Sequence, residues 1–514
     1  MKILYINWAP LWLGAEIGGG VNVYAQNMAL ALQARGHQMY SLSAGYAYNF
    51  AGGTYLKRGP DYQGVINYEV INAPNISPGY LLKPNPTADL REPEIEQIFQ
   101  KLLQDLKPDL VHFNNIEGFS GHCIELAKAS GARVVFSLHN YHPVCNQVYQ
   151  LYQNQEICED FQDGAKCVNC FSPPPKDKEI FKRKLGYHIH LYPEGHLFWG
   201  PIHFLKNSIK TLLLWSKLAR SIIGVWRERK RLNQQPVDTQ PQPEATTETT
   251  FTLHRTEPVT ISVREKSAGL AYKQRRETLV AAINQADLVL SVSTWVSRIF
   301  IGMGVDKTKL ETCHIGNRIA EMGRHYTHPQ PDYSDNKRPI HLVYIGLASQ
   351  PKGFPFFLRT LANLESKDLA RIHLHIYAKG VHNFGTLLEP LNARLAGLET
   401  HDGYRNTDLP QILQKMDVGI VPPIWWDNAP QVVFEMMALG VPLIGAEIGG
   451  IPDFVTHDKN GLLFKPGDAE DLQKQLLAIV SKPQKIADFR AALPPMKTIA
   501  EHADELEAFY QNNH

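Results

Sequence analysis

Short apolar runs alternate with helical patterns in two successive series along this chain, and that alternation limits the fold more than any other feature. In the first series, the runs at 2–6 and 38–44 flank a glycine-rich loop and a helical pattern over 21–37, which stops at Gly36, a residue suited to a helix C-terminus. A second series of the same kind begins at residue 340. Strands that alternate with helices form parallel sheets with helices on both faces. The sequence therefore predicts an α/β protein with two Rossmann-like, doubly wound domains.

The boundaries of these domains follow from changes in composition along the chain. A polar stretch at 322–339 is the predicted linker, which gives an N-terminal domain of residues 1–325 and a C-terminal domain of residues 326–495. An insertion at about 180–275 interrupts the first domain. The closing segment, 496–514, carries an amphipathic helical pattern with no strand after it. We expect this last helix to pack back on the N-terminal domain.

Charge and hydrophobicity exclude several classes of protein. The 514-residue chain has 52 Lys+Arg against 51 Asp+Glu, a net charge of +1, so we expect no nucleic acid among its partners. With 44% hydrophobic and 20% charged residues, the chain is neither wholly disordered nor collagen-like. The sequence shows no secretory leader and no run of about eighteen apolar residues, and the cytoplasm is the expected compartment.

A glycine loop, Gly18 to Gly20, joins the first predicted strand to the first predicted helix. Glycine lets the backbone come close to a phosphate group, and the N-terminus of the following helix offers free N–H groups with positive partial charge. The spacing differs from the G-x-G-x-x-G fingerprint of dinucleotide-binding proteins. The pattern indicates a phosphate-binding turn, with a plain strand-to-helix turn as the alternative.

The segment 422–455 holds the densest group of candidate binding residues. Asp427 lies in a Trp/Asn/Pro loop, and Glu435, eight positions later, lies in the helix that follows. An acid in the loop can reach a ligand hydroxyl, whereas an acid within the helix can hold a ribose diol. Residues 428–430 bring the N-terminal N–H groups of that helix to the same pocket. The alternative is an N-cap Asp followed by a Glu on the helix surface.

Taken in order, these motifs resemble those of glycosyltransferase family 4, whose enzymes have the GT-B architecture. That family's signature is a glutamate, seven residues, a second glutamate, then G-x-P-V/L and GGIPE. WWDNAPQVVFEMMALGVPLIGAEIGGIPDF is similar, with Asp427 and Asp453 in place of two glutamates. GGVNVY before the first helix resembles the family's N-terminal loop, and GLASQPKGF at 346–354 resembles its G-R-x-S-x-x-K-G loop. The resemblance covers about 1–170 and 276–514.

The resemblance implies a retaining transfer from a nucleotide-diphosphate sugar to an acceptor. The N-terminal domain would hold the acceptor, and the C-terminal domain would hold the donor in the cleft between them. Lys352 would lie on the diphosphate and balance the charge of the leaving group. Glu435 would grip the ribose, and Asp427 would contact hydroxyls of the donor sugar. His139, at the end of a predicted strand, matches the family's cleft histidine, and a histidine bonded to backbone is its alternative role.

The expected site residues fall into two sets. The catalytic set is His139, Lys352, Asp427 and Glu435. The donor-binding set is Gly19, Gly20, Asn22, Gly346, Lys352, Gly353, Asn428, Ala429, Pro430 and Glu435.

Two departures from the family pattern leave other functions open. The family's diphosphate-binding arginine falls on Leu347, and its first glutamate is shortened to Asp427. A catalytically weakened scaffold that binds a sugar nucleotide is one alternative, and a nucleotide-sugar 2-epimerase of the same architecture is another. No Asp-x-Asp occurs among the donor motifs, so we expect transfer without a divalent cation or another cofactor.

Four cysteines, Cys145, Cys158, Cys167 and Cys170, lie close together in the sequence of the N-terminal domain. Four thiolates that include one C-x2-C pair fit a tetrahedral structural zinc site, although a single such pair is irregular for a zinc ribbon. Free or occasionally oxidised thiols are the alternative. Six cysteines in 514 residues do not form a disulfide framework.

The insertion contains a predicted membrane-binding helix. On a helical wheel of residues 202–226, four cations share one face and apolar residues with two Trp share the opposite face, and 227–231 adds a basic cluster. This pattern is typical of a helix on an anionic membrane surface, and a helix packed on the N-terminal domain is the alternative. Residues 233–258, rich in Gln, Thr and Pro, are a predicted disordered loop. We expect a cytoplasmic enzyme held peripherally on the membrane through 202–231, in cell-surface polysaccharide or glycolipid synthesis.

Overall fold

The structure, a computed structural model, describes residues 1–78, 85–170, 175–187, 262–329, 331–333 and 338–512, with the backbone alone for 15–17. It divides into two units, one formed by Met1–Lys178 with Phe251–His514 and the other by Glu179–Thr250. Both Rossmann-like halves belong to the first unit. The predicted basic helix at 202–226, its basic cluster at 227–231 and the predicted disordered loop at 233–258 lie outside the described residues.

The N-terminal half contains one large sheet and a small hairpin. The strands of the sheet are β1 (Lys2–Asn7), β2 (Gln38–Ala44), β3 (Tyr55–Arg58), β4 (Ile66–Ile71), β5 (Leu110–Phe113), β6 (Arg133–Leu138), β9 (Leu288–Ser291) and β10 (Leu310–Thr312), and those of the hairpin are β7 (Leu151–Tyr152) and β8 (Glu156–Ile157). Over the described residues, the order of the sheet is β10-β9-β6-β5-β1-β2-β4-β3. All neighbours are parallel except β3 and β4.

Helices connect these strands. The described ones are α1 (Ala15–Ala34), α2 (Pro93–Leu106), α3 (His122–Ala129), α4 (Lys176–Gly186), α5 (Val263–Ile283), α6 (Thr294–Gly302) and α7 (Arg318–Gly323), together with a 3-10 turn at Gln162–Asn169. Helix α5 occupies part of the range predicted as insertion, 180–275. Its inner face is buried, and the guanidinium of Arg275 lies in the interior of the first unit.

The C-terminal half is a second parallel sheet with helices on both sides. Its strands are β11 (Ile340–Leu347), β12 (Ile372–Lys379), β13 (Gly397–His401), β14 (Val418–Val421), β15 (Leu443–Ala446) and β16 (Gly461–Phe464), in the order β13-β12-β11-β14-β15-β16. The helices are α8 (Phe354–Ala362), α9 (Ser366–Leu369), α10 (Gly385–Asn392), α11 (Leu409–Leu413), α12 (Gln431–Ala438), α13 (Ala469–Ser481), α14 (Gln484–Ala491) and α15 (Ile499–Gln511), and the 3-10 turns are Val381–Phe384, Asn406–Asp408 and Ile451–Asp453.

The central strands are apolar because helices cover both faces of each sheet. Strand β1 is buried over its last five residues, and β5, β9, β14, β15 and β16 are buried throughout. In each sheet the chain order reverses beside a central strand, between β1 and β5 in the first sheet and between β11 and β14 in the second. Ligands of such sheets bind beyond the carboxyl ends of the strands at this reversal. The predicted pair of Rossmann-like sheets is confirmed.

Helix α1 begins earlier than the predicted 21–37, and its start contains the glycine loop. Gly19 has φ of 64° and ψ of −171°, which is not a helical conformation, and so the helix is interrupted there. At the other end Gly36 adopts φ of 87°, its N–H donates to Gln33 O at 2.9 Å, and the N–H of His37 donates to Leu32 O at 3.2 Å. These two bonds satisfy the last carbonyls of the helix, as a glycine C-terminus does.

The final helix, α15, lies against the N-terminal half. Its capping box joins Thr498 and Glu501. Arg35 of α1 donates from Nη2 to Asp504 Oδ1 at 2.7 Å, and His112 Nδ1 of β5 lies 2.6 Å from the hydroxyl of Tyr510. The chain therefore returns to the first sheet after completing the second. Among the described residues, no helix combines the length and the apolar composition that crossing a bilayer requires.

Candidate active site

The predicted donor residues gather where the strand order of the C-terminal sheet reverses. Strand β11 ends at Leu347 and leads into the loop with Lys352, while β14 ends at Val421 and leads into the loop with Asp427. Since parallel strands end at the same edge of a sheet, these loops meet although they lie far apart in sequence. Helix α12, which contains Glu435, starts directly after the second loop.

Lys352 and Asp427 form an ion pair at this edge. The lysine Nζ donates to Asp427 Oδ2 at 2.5 Å and lies 5.3 Å from the centre of the Trp425 ring. The aspartate side chain is 8% exposed, whereas the lysine side chain is 34% exposed. The buried carboxylate thus holds the ammonium group on the open side of the pair. An arriving anion can compete with the carboxylate for this cation.

Two glycines allow the loops to approach each other closely. Gly353 has φ of 69°, and a Cβ there would lie 1.6 Å from Pro422 O. Gly449 has φ of 60°, and a Cβ there would lie 2.0 Å from Asp427 O. Only glycine fits such positions without moving backbone. Gly346, the third glycine of this edge, has φ of 141° with open space around it.

Glu435 is the buried carboxyl group of the site. It is 3% exposed, and its Oε2 is buried without a hydrogen-bond partner in the described residues. Burial raises the pKa of Glu435 from 4.5 to about 7, while a hydrogen bond with Asn317 offsets part of the increase. The charge of Glu435 in turn contributes to a raised pKa of Tyr404, for which burial is the main cause. A buried acceptor that lacks a partner is a candidate ligand contact.

This buried carboxyl group predicts a pH-dependent stability difference. The pKa of Glu435 is about 7 in the folded chain, against an ordinary value of 4.5. Between pH 4.5 and pH 7 the folded chain therefore binds more protons than the unfolded chain. The free energy of unfolding falls as the pH rises through that window. We expect Glu435→Gln to match the wild type at pH 5 and to exceed its free energy of unfolding by roughly 2–3 kcal/mol at pH 8. Urea unfolding at the two pH values measures this difference.

Glu447→Gln is the matched control, because Glu447 is exposed at the end of β15. It should leave the unfolding free energy unchanged to within about 0.5 kcal/mol at both pH values. If Glu435→Gln changes the free energy of unfolding equally at pH 5 and pH 8, ionisation of Glu435 does not contribute to the stability difference.

His139 lies on the N-terminal side of the site, directly after β6. Its backbone oxygen accepts a hydrogen bond from Asn428 Nδ2 at 2.6 Å, which joins the two halves. Its imidazole lies against the Tyr24 ring, with centroids 4.4 Å apart, and its Nε2 is buried without a hydrogen-bond partner among the described residues. Desolvation lowers the pKa of His139 to about 3, and His502 adds to the effect. The ring is therefore neutral at pH 7.

The N-terminus of α12 faces the glycine loop of the first half. Asn428, Ala429 and Pro430 lead into the helix, and no side chain caps its first N–H groups. Asn428 Oδ1 is buried without a partner in the described residues. The first helical residue, Gln431, donates from Nε2 to Gly20 O at 3.4 Å. The two expected phosphate-binding elements thus lie on opposite sides of one cleft.

One predicted donor residue is placed differently. The side chain of Asn22 is fully buried and bonded, since its Oδ1 accepts from Asn7 Nδ2 at 2.8 Å and its Nδ2 donates to Leu13 O at 2.8 Å. Its amide therefore holds the loop after β1, and the assignment of Asn22 to the donor-binding set stays a prediction. Gly19 remains exposed in its left-handed conformation, and Leu347 presents a half-exposed apolar side chain at the arginine position of the family.

Asp453 has a role that the sequence alone did not reveal. In the resemblance it replaces a family glutamate, and in the structure it joins the two halves. Its Oδ2 accepts from the Thr294 N–H at 2.8 Å and lies 2.9 Å from His314 Nε2. Burial favours a raised pKa for Asp453, but the hydrogen bonds with His314 and Thr294 outweigh it and lower the pKa.

Two amides on the acceptor side were also missed. Both side-chain polar atoms of Asn114, which follows β5, are buried without partners in the described residues. Asn115 donates from Nδ2 to Asn7 Oδ1 at 2.6 Å, and its own Oδ1 has no partner there. The signal in the sequence is two Asn directly after a buried strand, where ligands of α/β sheets bind.

The four cysteines of the predicted zinc site are free thiols near one another. Burial raises the pKa of Cys158 to about 11 and that of Cys170 to about 12, and Cys145 adds to both increases. Burial also raises the pKa of Cys167, with contributions from the other three thiols. Six non-glycine residues between 148 and 163 have positive φ, so the backbone of this segment turns sharply several times. Structural zinc at this cluster stays a prediction.

Two sequence families match the chain. Residues 18–162 match Glycosyltransferase Family 4, and residues 339–482 match Glycosyl transferases group 1. Together these matches cover more than half of the chain. The first contains the glycine loop and His139, and the second contains Lys352, Asp427 and Glu435.

Curated relatives match over part of their length. Sulfoquinovosyl transferase SQD2 of Arabidopsis thaliana is 44% identical over 205 residues, which are 39% of this chain and 36% of that protein. Amylovoran biosynthesis glycosyltransferase AmsK of Erwinia amylovora is 21% identical over 209 residues, which are 38% of this chain and 48% of that protein. The chain thus spans about half or less of the length of the curated relatives it matches.

Among solved structures, sucrose-phosphate synthase from Thermosynechococcus elongatus has a TM-score of 0.55 to this chain at 13% identity, over 99% of this chain and 98% of the other. At that identity the likeness shows the fold alone. The fold is GT-B, as the sequence predicts.

Proposed function

The chain belongs to the glycosyltransferases, with a family 4 domain in its N-terminal half and a group 1 domain in its C-terminal half, and from this premise we propose that it transfers a sugar from a nucleotide-diphosphate sugar to a glycan or lipid-linked acceptor. In this reaction the bond between the anomeric carbon and the phosphate oxygen breaks, and the diphosphate leaves with the electron pair. The acceptor oxygen forms the new bond to the anomeric carbon, and its proton passes to the departing diphosphate. We propose further that the anomeric configuration is retained.

One observation carries the proposal for the donor. A buried carboxyl group with an unpartnered oxygen, Glu435, lies at the same sheet edge as the partly exposed ammonium group of Lys352. A nucleotide-diphosphate sugar offers the matching groups, because its ribose diol donates two hydrogen bonds and its diphosphate is an anion. Binding to both would satisfy the acceptor that the folded chain leaves without a partner.

Lys352 changes partner in the proposed reaction. In the structure its ammonium group is held by Asp427 at 2.5 Å. The diphosphate carries more negative charge than one carboxylate and draws the lysine toward itself. Asp427 is then left with free acceptor positions, which hydroxyls of the donor sugar can fill. The ion pair thus keeps both groups in place before the donor binds.

His139 acts as a neutral hydrogen-bonding group in this proposal. Its pKa of about 3 excludes a positive imidazolium at pH 7, so it adds no charge to the diphosphate site. Its buried Nε2 has no partner among the described residues, and a sugar hydroxyl can supply one. Asn428 fixes the backbone of His139 from the other half, so that donor and acceptor sides are held together.

Nucleotide titration tests the donor site. We expect UDP or GDP to bind the full chain, and Glu435→Gln to weaken that binding by roughly 10–100-fold, the scale for hydrogen bonds to a charged group. Calorimetric titration of the wild type and the variant at pH 8 measures the change, with Glu447→Gln as the control. Equal affinities for wild type and Glu435→Gln would contradict the assignment of the ribose to Glu435.

We assign the acceptor to the N-terminal half. Asn114 and Asn115 offer buried amide atoms without partners at the carboxyl edge of that sheet, and a polyhydroxyl acceptor can bond to them. Relatives such as AmsK are named for polysaccharide biosynthesis, which supports a glycan or lipid-linked glycan as acceptor. The charge on the leaving group is balanced by Lys352 and helix N–H groups, so the proposed transfer needs no divalent cation.

We also propose that the enzyme works on an anionic membrane surface. The support is the sequence of 202–231 alone, which on a helical wheel places its cations opposite apolar residues that include two Trp. We expect the intact chain to sediment with anionic liposomes at low salt and to be released partly by high salt. A chain lacking 197–258 is the comparison. Equal recovery of both proteins in the supernatant would end this proposal.

A further inference from the structure

Three histidines and a glutamate meet on the C-terminal sheet, away from the candidate donor site. His341 of β11 is the register partner of His373 in β12, and His375 follows two residues later on the same face. Glu399 of β13 is the register partner of His375. The three histidines lie in the amino-terminal halves of their strands, and Glu399 lies in the middle of the short strand β13. Lys352 and Asp427, in contrast, follow the carboxyl ends of β11 and β14.

The nitrogen and oxygen atoms of this group converge. His341 Nδ1 lies 2.9 Å from His375 Nε2, and His373 Nε2 lies 3.2 Å from Glu399 Oε1. His375 Nδ1 lies 3.3 Å from Glu399 Oε2. One ligand nitrogen from each imidazole lies within 4.8 Å of the others. The ring centroids are 4.3 to 5.1 Å apart.

The arrangement leaves a buried ligand atom unused. His375 is 3% exposed, and its Nδ1 has no hydrogen-bond partner in the described part of the chain, despite its closeness to Glu399. Three protonated imidazoles at these distances would repel one another. Three neutral imidazoles instead each offer one ligand nitrogen within 4.8 Å of the others. A cation that replaces the hydrogen bond between His341 and His375 can bind all three, with the Glu399 carboxylate beside His373 and His375.

The space around the group is shaped for the His373 ring. Gly397 is the register partner of His373, and a Cβ at Gly397 would lie 2.7 Å from His373 Nε2. A cavity of about 220 Å³ opens beside His341, His375 and Glu399, and a small cation can enter through it. Asp408 and Lys415 are among the six other residues that line this cavity.

A second group of ligand-type residues is less suited to a metal. Cys313, His502 and Glu505 also lie within 4.8 Å of one another. However, Lys497 Nζ already donates to Glu505 Oε2 at 2.5 Å, so that carboxylate has a cation of its own. In the described part of the chain, the salt-bridge partners of Glu399 are His373 and His375, and no Lys or Arg pairs with it.

We propose that His341, His373 and His375 bind one divalent transition-metal ion of the zinc type, with Glu399 as the neighbouring negative charge. Imidazole ligands suit zinc, and three histidines leave the fourth position of a tetrahedral set open to water. Magnesium and calcium prefer oxygen ligands and are excluded by the three nitrogens. The ion would tie β11 and β12 together at a distance from the donor edge. Its role is structural, and it is independent of the proposed transfer reaction.

Zinc content tests the proposal directly. The full chain is stripped with a chelator, loaded with zinc alone, freed of excess by gel filtration and measured by elemental analysis. We expect His373→Ala and His375→Ala each to hold about one zinc ion fewer per chain than the wild type, with affinity lowered at least about 10–100-fold. The control is His382→Ala, because His382 is an exposed histidine paired with Asp402 in the same half. Equal zinc content in wild type and both histidine variants would overturn the proposal.

X-ray absorption separates this site from the four cysteines and does not depend on the variants folding. The wild type should show zinc with nitrogen and oxygen ligands at about 2.0–2.2 Å, whereas thiolate ligands lie at about 2.3 Å. Gly397→Ala keeps all three histidines but displaces the His373 ring, so it should lower the zinc affinity as well. Zinc bound through sulfur alone in the wild type, or no bound zinc at all, would refute the site.

Discussion

Replacing Lys352 with alanine is expected to lower turnover at saturating donor by about 10²–10³-fold, the scale for one preorganised group that stabilises a developing charge. The reason lies in its position. Its side chain is 34% exposed, on the open side of the pair with Asp427, where a diphosphate can reach the ammonium group. The charge on the leaving group grows during bond breaking, so the loss should fall on turnover more than on donor affinity.

Two comparisons separate catalysis from simple charge pairing. Lys379→Ala removes an exposed lysine at the end of the neighbouring strand β12 and should leave turnover unchanged. Lys352→Ala also leaves Asp427 without its counterion, so the double variant Lys352→Ala/Asp427→Asn is needed. We expect the two effects to be non-additive, because the residues act as one unit. Unchanged turnover in Lys352→Ala would show that the donor site is assigned wrongly.

Breaking the buried ion pair of Arg275 should have the largest effect on folding. The guanidinium of Arg275 is 1% exposed, and its Nη2 donates to Asp89 Oδ2 at 2.6 Å. His142 Nε2 lies 3.3 Å from the same carboxylate. Burial favours a raised pKa for Asp89, but Arg275 and His142 outweigh it and hold the pKa below 3.8. Arg275→Ala leaves Asp89 buried beside His142 without its main counterion.

We expect Arg275→Ala to lower the free energy of unfolding by about 3–5 kcal/mol, the range for removing one partner of a buried pair. Urea unfolding measures it. Lys273→Ala is the matched control on the same helix. Lys273 pairs with Asp163 at 2.9 Å while both side chains are exposed, so its loss should be far smaller than that of Arg275→Ala. Similar losses for both variants would contradict the distinction between the buried and exposed pairs.

The site also depends on this ion pair. Arg275 Nη1 lies 3.4 Å from Pro143 O, and Arg276 Nε donates to Val144 O at 2.9 Å. Both carbonyls belong to the segment that leads from His139 to Cys145. Helix α5 therefore fixes the loop on which the cleft histidine is carried. A partly folded Arg275→Ala variant should lose transfer activity together with stability.

Much of the fold was predictable because apolar periodicity marks each buried strand. The runs at 2–6, 38–44 and 340–346 coincide with β1, β2 and β11. The short strands β3 and β10 and the hairpin β7–β8 were not predicted, because two to four residues at a sheet edge or in a loop give no usable period. The first part of helix α5 was assigned to the insertion. Its sequence is rich in polar residues, and one of its buried residues is the charged Arg275, so no clear apolar face marks it as part of the domain.

The identity of the donor residues was easier to predict than their contacts. Lys352, Asp427 and Glu435 stand at the ends of predicted strands or in the following helix, and such ends meet at one edge. The ion pair of Lys352 and Asp427 joins positions 75 residues apart. The local sequence pattern around either residue does not indicate that the two side chains meet. The role of Asn22 in holding the loop after β1 was not predicted either, because its partners Asn7 and Leu13 lie 15 and 9 residues away.

The histidine cluster illustrates why register cannot be read from one sequence. His373 and His375 alternate within one strand, so a shared face was predictable. Their meeting with His341 and Glu399 depends on which residues pair across β11, β12 and β13. A shift of one residue in any pairing would turn these side chains to opposite faces.

The central claim is that this cleft binds a nucleotide-diphosphate sugar and releases its sugar, and a donor panel tests it most directly. The full chain is incubated with UDP- and GDP-sugars in the presence of EDTA, and the released nucleotide diphosphate is measured, with hydrolysis as the readout when no acceptor is supplied. We expect the wild type to consume at least one donor, to give a product of retained anomeric configuration, and to lose that activity in Lys352→Ala. Nucleotide binding without turnover of any donor would indicate a sugar-nucleotide-binding scaffold, and a donor epimerised at C2 would indicate an epimerase. Either result would contradict the account given above.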